Sequence, residues 1–366
     1  MSERVPPIYF YIPQLYWPST MPVSADENWK GFGLGIYAWT VQTYLRLKAD
    51  NFPCELVSEL PAEGIVLVHR NALRAHNDNL KPTPNILLIC LKAELPAYPY
   101  AQLHVVQNSL ESKTLKNSYY IPHWSQPALI PRNLARGDRF ENIAFFGHEV
   151  NLAPELLDSS WEKQLKVMGL NWYPILNRNH WSDYSQIHDR WNDYSEIDAI
   201  VAVRSFDRQQ LYLSRNYISK PATKLYNAWL ANVPAIVGAE SAYRAERQSS
   251  LDYLEVTSPA DVISALERLQ SDRPLRGATD NHTLRLEMVK NGQLRAQSLL
   301  HSNITARWRN FLEAIAIPAY YHWKAKPHWF QKLILDRNYF TFNINRIQYK
   351  IHAALLASST SKRKNQ

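Results

Sequence analysis

Two lysines stand at the start of an expected helix in the stretch SKPATKLYNAWLANVPAIVGAES, residues 219–241. A helix N-terminus carries partial positive charge and free backbone N–H groups, so a cation in its first turn costs roughly 0.3–1 kcal/mol unless an anion lies beside it. Pro221 suits the first turn, where its missing N–H has no intrahelical partner, and Ala222, Leu225, Tyr226, Trp229 and Leu230 form one apolar face. Asn232 is the expected stop, and PAIVG the next buried strand. Arg204 ends the preceding apolar run IDAIVAVR, with Arg208 and Arg215 in the connection that follows. In an open α/β sheet, such a strand end and helix start both face the ligand crevice. Arg204, Lys220 and Lys224 are therefore expected to converge with helix-start N–H groups on a phosphate or diphosphate. The competing reading leaves Lys224 in water and pairs Arg204 with Glu240 or Asp207.

The elements that would position these residues come in two blocks. Strands are expected at residues 8–12, 54–58, 65–69, 86–91 and 103–107, with the loop KGFGLG (Gly31, Gly33, Gly35) and a helix between the first two. After a Pro- and Arg-containing stretch, IPHWSQPALIPRNLARGDRF, read as a linker, a second cycle opens with IAFFGH. A helix over about 153–168, a strand near NWYPIL, the strand 197–205, the lysine-bearing helix, the strands PAIVG and LDYLEV, and the helix SPADVISALERLQ follow. Alternating strands and helices favour parallel sheets covered by helices. The fold class is thus α/β, with two Rossmann-like domains facing each other across a cleft and a basic helical C-terminal tail. The domain limits are 1–140, 141–316 and 317–366, with helix expected from about 282 to 316 and able to run back toward the first domain.

The segment KPATKLYNAWLANVPAIVG, followed by AESAYRAER, resembles the donor-binding segment of Leloir glycosyltransferases of the GT-B fold. WNDYSEIDAIVAVRS is similar to the strand leading into that site, and ENIAFFGHE to the first strand of the nucleotide-binding half. The likeness covers about residues 143–269 and is architectural over the first 140. It implies a metal-independent transferase that moves a sugar from a nucleotide-sugar donor to an unidentified glycan or lipid-linked acceptor, with no cofactor beyond the donor itself. Arg204, Lys220 and Lys224 would hold the donor phosphates, with Glu240 near a ribose or sugar hydroxyl. Two departures matter: Asn232 stands where that family often has glycine, and Glu240 and Glu246 are six apart rather than in an E-x7-E pair. Inverting and retaining outcomes therefore stay open. So do two rivals, a nucleotide-sugar epimerase on the same fold and a non-catalytic nucleotide- or phosphate-binding protein.

An inverting transfer needs a carboxylate or imidazole beside the acceptor hydroxyl. The expected catalytic candidates are Asp26 or Glu27 in the first strand-to-helix loop, His69 after IVLVH and His148 after IAFFG; against this, a strand-end histidine is more often a satisfied hydrogen-bonding residue than a base, and Asp26 also reads as a turn cap. KGFGLG lacks the compact G-x-G-x-x-G register and is expected to bring backbone close to the acceptor or diphosphate. No metal site is expected: there is no Asp-x-Asp triplet, and His180, Asp183, His188 and Asp189 lie in a polar loop without helical register. Cations and a helix dipole can stabilise the leaving diphosphate instead.

Composition narrows the class. In 366 residues, hydrophobic residues make up 46% and charged residues 20%, as in ordinary globular proteins. No long apolar run or signal-peptide pattern is present, so a cytoplasmic protein is expected. Cys54 and Cys90, each inside an apolar run, are read as buried thiols. The net charge of +8 is confined to the tail: residues 320–366 hold nine Lys and Arg against one acid, Asp336, while the rest balances at 32 each. A body without net charge argues against nucleic acid. Two readings of the tail stay open, a helix at an anionic membrane surface and a helix pair packed on the body.

Overall fold

The computed structural model describes residues 5–177, 183–185, 187–271, 283–344 and 347. Six parallel strands form the first sheet: β1 (Ile8–Tyr11), β2 (Glu55–Val57), β3 (Gly64–His69), β4 (Ile86–Leu91), β5 (Leu103–Val106) and β6 (Ser118–Tyr120), in the order β2-β1-β3-β4-β5-β6. Five more, β7 (Asn142–His148), β8 (Asn171–Asn177), β9 (Ala199–Ala202), β10 (Ala235–Gly238) and β11 (Leu254–Val256), form a second parallel sheet in the order β11-β10-β9-β7-β8. β3, β4 and β5 are buried at every position, the reason their sequences are continuous apolar runs rather than alternating ones. The two Rossmann-like domains expected from the sequence are present, facing each other across a cleft.

The helices are α1 (Gly35–Trp39), α2 (Val41–Ala49), α3 (Ser109–Ser112), α4 (Ser159–Val167), α5 (Arg208–Leu213), α6 (Thr223–Leu230), α7 (Ser241–Glu246), α8 (Pro259–Gln270), α9 (Leu284–Ala296), α10 (His301–Phe311), α11 (Ile317–Lys324) and α12 (328–344). The single helix expected over 153–168 is instead a short turn followed by α4, because Asp158 caps the second piece by accepting a hydrogen bond from Ser160 N at 2.8 Å. β6, α3, α5 and α7 were not anticipated, α5 lying where a connecting loop was expected.

In each parallel sheet the strand order reverses about one strand. β1 lies between β2 and β3, and β7 between β8 and β9, so each sheet has a switch point at which its carboxyl ends open a crevice.

Packing redraws two boundaries. Ile304, Trp308, Phe311, Leu312, Ala316, Tyr320, Trp323 and Leu335 belong to the core of the first domain, so the chain recrosses before residue 316 and the tail begun at 317 is partly core. The stretch read as a linker is firmly seated. Trp124 is buried, and Arg132 and Arg136 both bond to the buried Asp198, Arg136 through two nitrogens at 2.9 and 2.8 Å.

Candidate functional site

Between the two sheets lies a cavity of about 770 Å³, the size of pockets that enclose small ligands. The second domain contributes its wall from the ends of β7 and β9 and the start of α6. Gly147, at φ +153°, closes β7 without a side chain; a Cβ there would stand 3.1 Å from Lys224 Cε and 3.3 Å from its Nζ. The absent side chain is what lets Lys224 run along the strand end, its ammonium 5.2 Å from the Phe145 ring centre. α6 starts at Thr223, two residues later than Pro221 suggested, and no side chain caps it. Thr223 Oγ1 is buried without a hydrogen-bond partner. Asn232 ends the unit in the left-handed region, φ +59°, which asparagine tolerates better than most residues.

Arg204, Lys220 and Lys224 meet in this wall as expected. Asn151 Oδ1 joins two of them, accepting from Lys220 Nζ at 3.1 Å and from Arg204 Nε at 3.4 Å. Arg204 also pairs with Glu240, and Lys220 with Glu94 from the opposite domain. Lys224 has neither a hydrogen bond nor a carboxylate partner among the described residues. Desolvation, then the charges of Arg204 and Lys220, push its ammonium well below the usual lysine range. Lys220 is lowered too, by desolvation against the pull of Glu94.

Glu94 and His123 are cleft residues that the sequence expectations lack. Glu94 is the acid of the pair. It follows β4 at a backbone turn in which Ala93 holds φ +47°, a strained position for a non-glycine residue, and its side chain is 47% exposed in the cleft. Desolvation pushes its carboxyl up, but the charge and hydrogen bond of Lys220, with Arg204 and Lys224 behind, outweigh that and hold it below the usual range. The rule that picked strand-end residues such as His69 would have found Glu94 if applied to β4.

Three histidines line the cleft, and their partners set them apart. His69 Nδ1 accepts from Asn71 N at 3.2 Å, so Nε2 carries the proton; buried without a partner, it is a donor and has no lone pair for a proton. Burial foremost, then His123, depresses its pKa to about 3. His148 bonds the Gly33 backbone and meets Trp191 edge-on at 5.2 Å; desolvation and Lys224 lower it. His123, inside the supposed linker, is the reverse of His69. Its Nδ1 donates to Trp124 O at 2.7 Å, leaving the Nε2 lone pair available on the cleft side, and desolvation keeps the ring neutral.

Other expectations are corrected. Asp26 lies away from the cleft, 70% exposed, held by Arg46 of α2 at 3.0 Å and His301 at 3.4 Å. Glu240 is buried outside the cleft lining, with Oε2 on Arg204 and Oε1 buried without a hydrogen-bond partner. Gly33 and Gly35 line the cleft, but Gly31 sits under the Trp29 indole, where a Cβ would come within 2.2 Å of the ring. Arg208 and Arg215 line a separate groove with Arg244. The polar loop does not gather ligands: Asp189 pairs with Lys30, Asp183 bonds Ser185, His188 Nδ1 accepts from Arg190 N, and His180 lies outside the described residues. No cluster of three or more His, Cys, Asp or Glu able to hold a metal occurs among the described residues.

No family model and no curated protein matches the chain. It is similar to several solved structures. Anabaena HepE in complex with UDP-glucose shares 10% identity at a TM-score of 0.48, covering 85% of this chain and 100% of that one. AviGT4, a glycosyltransferase involved in avilamycin A biosynthesis, shares 13% at 0.44, covering 84% and 98%. TarM shares 8% at 0.43 over 74% of this chain, which spans only 57% of TarM and 60% of the matched GtfA/B chain. At such values the cleft must be judged by its own residues.

Proposed function

We propose that the protein is a glycosyltransferase that moves a sugar from a nucleotide-activated donor to an acceptor bound by the first domain, without a metal. The observation that carries this reading is the convergence of Arg204, Lys220 and Lys224 with the uncapped start of α6 and the unpartnered Thr223 hydroxyl in one cleft wall. A diphosphate there meets preorganised cations and N–H groups, which also stabilise the charge that develops as the donor bond breaks. On the opposite wall, His123 offers the lone pair that can take the acceptor proton. His69 Nε2, an N–H without a partner, lies in the same cleft lining. A diphosphate that takes Lys220 must displace Glu94, which is then free to bind an acceptor hydroxyl.

A thermal-shift titration with nucleoside diphosphates tests the donor half. A ligand at a hundred times its Kd stabilises by about 2.7 kcal/mol. The expected outcome is stabilisation of the native protein by one nucleotide, lost in Lys220→Ala/Lys224→Ala; silence across the panel overturns the reading. The catalytic half is tested by His123→Gln, expected to keep nucleotide binding and lose sugar transfer. Donor turnover with and without acceptor extract separates transfer from epimerisation and from binding without chemistry.

A further inference from the structure

The outward face of α12 is apolar but for one acid. Trp329, Leu333, Phe340 and Ile344 are exposed there. Counted from Trp329, the last three fall 4, 11 and 15 residues on, spacings that at 3.6 residues per turn share about a sixth of a helical circumference. The exposure is substantial: Trp329 70%, Phe340 65% and Leu333 56%. The inward face is occupied. Gln331 and Leu335 are buried, Gln331 Nε2 bonds Trp323 O at 2.8 Å and Pro84 O at 3.2 Å, and Tyr339 stacks on Tyr100 with ring centres 5.3 Å apart. α12 is therefore anchored by one face while the other holds a row of large apolar groups in water, the mark of an interaction site rather than of packing.

The flanks of that row say what it meets. By the same helical count, exposed Lys332 and Arg337 border it on opposite sides. Asp336, the one acid against nine Lys and Arg in residues 320–366, falls by that count between Trp329 and Lys332, where Lys81 offsets its charge at 3.7 Å. An apolar stripe with cationic borders matches a bilayer interface, where acyl chains take the rings and anionic headgroups the cations. None of the described helices is long and apolar enough to cross a membrane.

We propose that this face of α12 docks the protein on an anionic lipid surface, the helix lying in the interfacial plane with Trp329, Leu333 and Phe340 inserted and Lys332 and Arg337 on the headgroups. The inference stands independently of the donor site.

Vesicle flotation with the full-length protein tests it, using phosphatidylcholine alone and with about 30 mol % phosphatidylglycerol, enough to give a negative surface. The protein is expected to float with the anionic vesicles and not with the neutral ones. Trp329→Ser/Leu333→Ser/Phe340→Ser should lower the partition coefficient about tenfold or more with an unchanged melting temperature, since all three side chains already face water. Lys332→Glu/Arg337→Glu should lower it with the stripe intact. Failure of the native protein to float, or equal flotation of the triple variant, overturns the proposal. So does a native dimer that the triple variant converts to monomer, which would make a second copy the occupant.

Discussion

Desolvation, then the charges of Arg204 and Lys220, disfavour a charge on Lys224, against the pull of Glu94 and of the Phe145 ring face. Such a charge destabilises the fold unless an anion joins it. Lys224→Met should therefore raise the melting temperature of the protein alone, by about 1 kcal/mol or more in unfolding free energy, as replacing unfavourably buried charges commonly does. The same change should weaken nucleotide binding about tenfold to a hundredfold, the worth of one hydrogen bond to a charged group. Paired thermal-shift curves read both signs at once, and a fall in both would make Lys224 a structural residue. Two buried histidines govern acid stability in the same way. Burial foremost lowers His69 to about 3 and His104 to about 4, below the 6.5 of the unfolded chain. Between those values the unfolded state binds more protons, so their contribution is complete above pH 6.5 and declines as the pH falls, each by up to about 1.4 kcal/mol per unit. Urea unfolding at pH 7 and pH 5 should show this loss, and His69→Gln should reduce the slope by one proton; an unchanged slope would mean that His69 is already protonated. The cations of the site were legible because a lysine at a helix start breaks a simple electrostatic rule. Glu94 and His123 break no local rule, since one gains its meaning from Lys220 across the cleft and the other from the Trp124 carbonyl.

The fit of α9 against α6 sets the angle at which the phosphate-facing helix enters the cleft. Gly292 lies in the middle of α9, where alanine normally stabilises by up to about 1 kcal/mol through helix propensity. Here a Cβ would stand 2.9 Å from Trp229 Cδ1 and 3.5 Å from the Trp229 backbone, and Trp229 is pinned by its Nε1 donating to Asp252 O at 2.9 Å and by Arg295 over its ring. Overpacking of about 1–3 kcal/mol outweighs the propensity gain, so Gly292→Ala should destabilise. Urea midpoints decide the sign, and stabilisation would show that the two helices separate at no cost. Strand positions were readable because buried parallel strands are unbroken apolar runs. β6 was not: SYY is three half-buried residues at a sheet edge, with no periodicity to betray it. α7 was missed for the same reason, since its six residues are too few to display a helical face.

The two domains are joined by more than their linker, and this decides how the molecule can be cut. Tyr120 of the first sheet bonds Tyr226 of α6 at 3.0 Å and donates to Glu246 of α7 at 2.6 Å, while Gln107 donates to Ser219 O and Asn108 to Ser241. The same interface thus fixes the phosphate-facing helix relative to the acceptor wall. The C-terminal helices add a second tie, because α10 and α11 leave the second domain and complete the core of the first. Sequence could show that the charge excess lies in residues 320–366 but not that Tyr320, Trp323 and Leu335 face inward, since α11 is apolar and aromatic on several sides. Removing residues 320–366 should therefore take far more than a tail: each large buried side chain lost costs about 3–5 kcal/mol, a substantial part of the stability of an ordinary domain. The truncated protein is expected to be insoluble or to melt far below the full chain, and intact melting would place these residues outside the core. It follows that loss of lipid binding after such a truncation would say nothing about α12. Only substitutions on its outward face, which leave Gln331, Leu335 and Tyr339 in place, separate the membrane role of the helix from its role in closing the first domain.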